Sequence, residues 1–167
     1  MTTTVYVWRT FASSSRKFGG FGHVALKVGA DYLSFWPPED EEERQSYSFA
    51  FQEDLERCGR KPDREIPIKG LDEPAILGKW EELSSRAFDD FDFNCCSMAA
   101  ELLKFGFNES MDAAPMGKFF KRLGRISLQP VNSLARVLSH ELRTELFVHS
   151  PGEVENLAAW LADIAGP

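Results

Sequence analysis

The stretch that decides the fold is HVALKVGADYLSFWPP, residues 23–38. Apolar and polar side chains alternate over residues 23–28, and a second extended run covers residues 32–36 before two prolines end it. A side-chain period of two is typical of β-strands, and the three residues 29–31 between the runs are short enough for a hairpin turn. The sequence therefore predicts a β-hairpin over residues 23–36.

Further strands and helices are predicted on both sides of this hairpin. Alternation predicts a strand over residues 3–11, and a strand over residues 64–69 is expected at a sheet edge because it contains Pro67. Helical spacing and capping residues predict helices over residues 49–58, 72–87, 95–105, 117–123, 131–142 and 151–164. The sequence thus predicts an α+β fold, in which a small antiparallel sheet packs on a central helix and a helical extension follows.

For three of these helices, the sequence also predicts the buried face or the residue at which the helix begins or ends. In the second, Ile76, Trp80, Leu83 and Ala87 fall on one helical face. Gly106 is expected to end the central helix. The last helix is expected to begin with a capping box, with Ser150 as the cap and Glu153 as its partner.

The composition is that of a single folded domain spanning residues 1–167. The chain is 43% hydrophobic and 27% charged, and its net charge of −7 argues against a nucleic-acid-binding module, which needs excess Lys and Arg. The acidic run at residues 39–43 is expected to be a solvated loop. No apolar run approaches the length of a membrane span, and the start of the chain lacks the features of a signal peptide. We expect synthesis in the cytoplasm.

The cysteines and histidines do not predict a disulfide framework or a metal site. Cys95 and Cys96 are adjacent, Cys58 stands alone, and no Cys-x-x-Cys pair exists. His140 and His149 are expected to be surface residues. We therefore expect no metal and no cofactor, and the sequence assigns no oligomeric state.

Cys95 is the predicted nucleophile. Asn94 is a good N-cap, which places Cys95 in the first turn of the central helix, where unpaired amide groups and the helix dipole lower the pKa of a thiol. Cys96 points about 100° away and is the second choice. The alternative is that both cysteines are small buried apolar residues. Asn94 is expected to cap the helix or to contact substrate.

His23 is the predicted base, since it begins a strand directly after Gly22 and a strand end packed on the helix could bring the imidazole to the sulfur. Aromatic side chains near it are candidate walls of a substrate cleft, although strand aromatics also form cores. These aromatic residues are Trp8, Tyr32, Phe35 and Trp36.

The order of these motifs resembles that of a known superfamily. A Gly22-His23-Val24 strand start, the strand end Phe35-Trp36-Pro37 and a helix opening with Asn94-Cys95 are similar to the circularly permuted papain-like proteins. These include permuted NlpC-type amidases, lecithin retinol acyltransferase-like proteins and PPPDE-type isopeptidases. In them the His strand precedes the Cys helix. The resemblance spans residues 5–105, which suggests a papain-like core over 1–108 and a helical extension over 109–167.

The resemblance implies a cysteine hydrolase that cleaves an amide, peptide or isopeptide bond of a protein, peptide or peptidoglycan substrate through a thioester. It also implies a polar residue that orients the imidazole. Ser34 is the candidate, with Asp31 or a main-chain carbonyl as alternatives.

Other functions stay open. The same fold could support an acyltransferase or a deamidase, or serve as an inactive protein-interaction module. The lipid-acyl function is disfavoured because the chain continues Cys96-Ser97-Met98 after Cys95, where the acyltransferase-like group has Glu-His-Phe. Small domains of this kind are also similar to bacterial effectors, which implies export by signal-independent machinery.

Overall fold

The computed structural model describes residues 2–9, 22–38, 50–89, 93–113 and 150–165. Within these ranges the chain forms four strands and four helices. In chain order they are β1 (Thr2–Trp8), β2 (His23–Val28), β3 (Asp31–Ser34), α1 (Phe51–Cys58), β4 (Arg64–Lys69), α2 (Glu73–Leu83), α3 (Cys95–Ala113) and α4 (Pro151–Ala165). The predicted α+β class is therefore confirmed.

Several predictions fall outside the described residues. They are the acidic loop at 39–43, the helices over 117–123 and 131–142, and the surface positions of His140 and His149.

The four strands form one antiparallel sheet in the order β3-β2-β1-β4. The predicted hairpin is β2 with β3, in which Ala25 lies opposite Ser34. Gly29 occupies the turn with φ of 60°, a left-handed conformation that glycine adopts without steric cost. The strand that contains Pro67 is β4, and it lies at the sheet edge as predicted.

The two faces of the sheet pack against different helices. Alternate residues of β1 separate into two clusters, since Val5 and Val7 belong to the main hydrophobic core while Tyr6 and Trp8 belong to a second, smaller one. Helices α2, α3 and α4 supply the main core, and α1 covers the second cluster. His23 lies on β2, in the sheet that separates these two layers.

Helices α2 and α3 correct two expectations. Gly106 does not end the central helix, because α3 continues to Ala113. A Cβ at Gly106 would lie 2.5 Å from Cγ1 of Ile76, so this glycine permits the close approach of α2. Ala87 does not extend the apolar face of α2, which ends at Leu83, and Ala87 is exposed.

The last helix, α4, packs against the sheet and contributes to the main hydrophobic core. The predicted capping box is confirmed: the Ser150 amide donates to Glu153, and the Glu153 amide donates to the Ser150 hydroxyl. The side chains of Val154, Ala158 and Leu161 are fully or almost fully buried among residues of the sheet and α3. The division into a core over 1–108 and an extension over 109–167 stays a prediction. Among the described residues, no helix combines the length and apolarity needed to cross a bilayer.

Two glycine substitutions test the packing of α2 on α3. Gly106→Ala should lower the free energy of unfolding by about 1–3 kcal/mol, because Ile76 is completely buried and its stiff, branched side chain has no room to move. Gly78→Ala makes the same change in α2 where nothing lies within 4 Å, and should raise the free energy of unfolding by about 0.5–1 kcal/mol. Urea denaturation of both variants measures the difference. Equal effects would contradict the close helix contact.

Candidate active site

The imidazole of His23 lies between two indole rings. His23 begins β2 opposite Trp8, and its ring is stacked on Trp36 with centroids 4.2 Å apart and an interplanar angle of 27°. The Trp8 ring centroid is 5.5 Å away. Only 1% of His23 is exposed. The strand and the two indoles therefore fix the ring in one orientation and keep water from it.

The Nε2 atom of His23 is held by two oxygens. It lies 3.0 Å from Oγ of Ser34 and 3.1 Å from Oδ2 of Asp54. Ser34 gives its own proton to Asp54, at 2.8 Å from Oδ2, so towards the imidazole it acts as an acceptor. The structure thus places Ser34 beside His23, as the sequence predicted, and adds a carboxylate that the sequence analysis missed.

Asp54 is the centre of a buried hydrogen-bond network. Its carboxylate has no exposed surface, and it accepts from Tyr32 Oη at 2.7 Å and from Trp36 Nε1 at 2.7 Å as well as from Ser34 and His23. A buried charge is tolerated only when it is paired and hydrogen-bonded. These donors meet that requirement and connect α1 to β2 and β3.

A signal for Asp54 was present in the sequence. The apolar residues Phe51, Leu55 and Cys58 recur at helical spacing on α1 and face the second cluster. Asp54 falls on the same stripe, three residues after Phe51. An acidic residue on a buried helix face must have a partner inside the protein.

Asp31 was an alternative orienting residue, and this alternative is wrong. It lies at the turn end of the hairpin opposite Val28, whereas His23 is at the other end of β2, and its side chain is exposed.

Cys95 approaches the imidazole from α3. Asn94 caps this helix, since its Oδ1 accepts from the amides of Cys96 at 2.9 Å and Ser97 at 3.1 Å. Cys95 lies close enough to His23 and to the backbone N–H of Val24 for both groups to lower the pKa of its thiol. Its sulfur is 3.9 Å from that of Cys96. The first turn of α3 is therefore located at the beginning of β2, as the predicted pair requires.

The electrostatics favour a charged pair. Burial alone would lower the pKa of His23, but the hydrogen bond with Asp54 and the nearby Cys95 raise it to about 9. The hydrogen bond with Cys96 lowers the pKa of Cys95; burial opposes this, and His23 and the Val24 amide add to it. Burial likewise opposes ionisation of Asp54, yet its hydrogen bond with His23 holds the pKa of Asp54 below its usual value. These shifts favour a thiolate at Cys95 beside an imidazolium at His23.

The other two cysteines differ from Cys95. Burial, the Asp54 charge and Cys95 raise the pKa of Cys58 to about 12. The hydrogen bond to Cys95 and burial raise the pKa of Cys96. Both thiols are free and buried, and both stay protonated at neutral pH. The site therefore distinguishes Cys95 from its neighbour.

The predicted substrate-binding aromatics have other contacts. Trp8 and Trp36 are 0% and 4% exposed, and they pack on the imidazole instead of lining an open cleft. Phe35 is buried in the main core. Tyr32 is half-buried and donates to Asp54, and its contact with substrate stays a prediction. Asn94 caps α3 through its Oδ1.

Cys95 is the more accessible residue of the pair. Cys95 is 9% exposed against 1% for His23. In the part of the chain that the structure describes, no three His, Cys, Asp or Glu side chains are grouped so as to hold a metal ion. Comparison with family models, curated proteins and solved structures gave no match.

The role of Asp54 can be tested by Asp54→Asn. We expect the pKa of His23 to fall well below about 9, because burial then acts without the carboxylate, and the free energy of unfolding to fall by about 3 kcal/mol. NMR titration of the ring and urea denaturation measure the two effects. Asp31→Asn removes an exposed carboxylate and should change neither. An unchanged His23 titration in Asp54→Asn would contradict the assignment.

Proposed function

We propose that this protein is a cysteine hydrolase of the circularly permuted papain-like type, with Cys95 as nucleophile and His23 as its base. Asp54 and Ser34 orient the imidazole. The substrate is an amide, peptide or isopeptide bond of a protein, a peptide or peptidoglycan. The order of the pair along the chain, with the His strand before the Cys helix, supports the permuted type.

The observation that carries this proposal is the grouping of three side chains, each from a different helix or strand. Cys95 from α3 lies near enough to His23 from β2 for the imidazole to lower the pKa of its thiol, and Nε2 of His23 lies 3.1 Å from Oδ2 of Asp54 on α1. A nucleophile, a base within reach and a third group that orients the base are the arrangement that activates a thiol. A purely structural role does not require a charged pair in this order, since buried cysteines and histidines are normally neutral.

The mechanism uses the two ring nitrogens differently. Asp54 and Ser34 engage Nε2. We therefore assign the proton exchange with the sulfur to the remaining ring nitrogen, Nδ1. The thiolate attacks the carbonyl carbon and forms a C–S bond. The imidazolium then gives its proton to the leaving amine as the C–N bond breaks, which leaves a thioester and a neutral imidazole. Water, deprotonated by the imidazole, attacks the thioester, and the acid and the thiolate are released.

The first turn of α3 supplies donors for the oxyanion. The N-cap Oδ1 of Asn94 takes the amides of Cys96 and Ser97, and the amide of Cys95 is not among the two that it caps. An amide at the first helical position has no partner within its helix. We assign the Cys95 N–H to the negative charge that develops on the carbonyl oxygen.

The burial of the pair favours a second candidate, an inactive interaction module with this fold. His23 is almost fully enclosed, and a buried polar network can also serve to fix the packing of α1 on the sheet. The two candidates differ in whether a reagent reaches the sulfur and whether the sulfur is ionised at neutral pH.

Labelling separates the two candidates. Iodoacetamide at neutral pH should modify Cys95 rapidly, and Cys95→Ala should lose this labelling while it keeps the fold. Cys58→Ala is the matched control and should keep the labelling, because the pKa of Cys58 is raised to about 12. Incubation with p-nitrophenyl acetate should likewise place one acetyl group on Cys95, seen by intact mass spectrometry and lost on standing in water. Rapid labelling that persists in Cys95→Ala would overturn the proposal.

The charged pair predicts a pH dependence. The alkylation rate should rise with pH through the lowered pKa of Cys95 and reach its plateau below pH 9, since a group with a depressed pKa is ionised above that pKa. In His23→Ala, the midpoint should move to higher pH because the imidazolium is lost while burial remains. Stopped-flow alkylation measures both profiles. Coincident profiles would contradict the pairing and favour the interaction module.

A further inference from the structure

Cys96 is a buried thiol that the mechanism above does not use. It is 3% exposed and belongs to the main core, yet its sulfur lies 3.9 Å from that of Cys95, within the range of a hydrogen bond between sulfurs. Geometry alone allows either thiol to be the donor. The surroundings of the two sulfurs decide the direction.

The groups that stabilise an anion all surround Cys95. The imidazole of His23 and the backbone N–H of Val24, both on β2, lower the pKa of Cys95. From α4, the carboxylate of Glu153 opposes ionisation of the Cys96 thiol. From α1, Cys58 and Asp54 add no positive charge. The proton therefore stays on Cys96, and the negative charge resides on Cys95.

The amide end of α3 gives Cys95 limited help. The amides of Cys96 and Ser97 are already engaged by the Asn94 cap. In the proposed mechanism the Cys95 amide is needed for the oxyanion. A buried thiolate without enough donors is costly, so a further donor close to the sulfur has a large effect.

On the basis of the proposed function, we infer that the thiol of Cys96 donates a hydrogen bond to the Cys95 thiolate and is a positioning residue of the nucleophile. The bond holds the resting thiolate towards the imidazole. When the sulfur attacks a carbonyl its charge passes to the oxygen, and the bond weakens. Cys96 thus raises the fraction of thiolate at neutral pH while it stays protonated throughout.

Three proteins test this inference: the wild type, Cys96→Ala and Cys96→Ser. The alanine variant has no donor, and the serine variant differs from it by one hydroxyl that can donate. In Cys96→Ala we expect the apparent pKa of Cys95 to rise by about one, equivalent to about tenfold slower alkylation below the midpoint. Cys96→Ser should recover most of this change. Thiolate absorbance in the ultraviolet and stopped-flow alkylation give the two titrations.

A merely structural role of Cys96 would not move these titrations. If the alanine profile coincides with that of the wild type, the inference is overturned. It is also overturned if the serine variant matches the alanine variant, because the donor would then not be the cause. If the wild type itself shows no thiolate below about pH 9, the proposed function fails first, so the two failures are distinguishable.

The reciprocal measurement covers the case in which Cys96→Ala does not fold. In Cys95→Ala the acceptor is gone, so Cys96 should ionise at a lower pH than it does in the wild type. Site-resolved mass spectrometry after alkylation at a series of pH values reports the ionisation of Cys96 in both proteins. An unchanged titration of Cys96 would contradict the hydrogen bond.

Discussion

The buried carboxylate of Asp54 is the constraint on which the arrangement of the site depends. A charge with no exposed surface requires several donors, and here they come from β2, β3 and the residues just after β3. Satisfying this one group therefore fixes α1 on the sheet, the rotamer of Ser34 and the orientation of the imidazole together. The hydroxyl of Tyr32 completes the set. The position of the ring is thus a consequence of the same interaction that holds the second cluster together.

Most of the fold could be predicted from local patterns in the sequence. The hairpin and the bounds of β2 and β4 follow from side-chain alternation and from turn residues, which act between close neighbours in sequence. The predictions that were wrong concern helix ends that depend on packing between helices. Gly106 has the chemistry of a helix end, but α3 continues through it because the missing side chain lets Ile76 of α2 approach. That contact joins residues 30 positions apart, and no local pattern predicts it.

The site was predictable only in part, because some of its residues are marked by local sequence pattern and one is marked mainly by a contact between distant elements. His23, Cys95 and Ser34 were expected from chemistry, helix capping and resemblance, and the structure brings them together. The orienting carboxylate was not expected, because Asp54 lies on a helix beyond the hairpin. Asp54 is 31 residues from His23, and only its place on the apolar stripe of α1 marks it. Trp8 and Trp36 illustrate the opposite case, since aromatic residues beside a reactive group can enclose it as easily as they can line its cleft.

The burial of His23 has two opposing effects on its pKa. Their balance explains how His23 and Cys95 can form a reactive pair in the proposed mechanism. Removing water from His23 favours its neutral form, yet its pKa rises to about 9, so the contacts with Asp54 and Cys95 outweigh the burial. In the dry interior each of these contacts is stronger than in water. Because His23 is almost fully enclosed while Cys95 keeps some exposure, we expect a proton on the imidazole to leave towards a group held at Cys95. In the proposed mechanism this directs the proton to the departing amine of a bound substrate and away from bulk solvent.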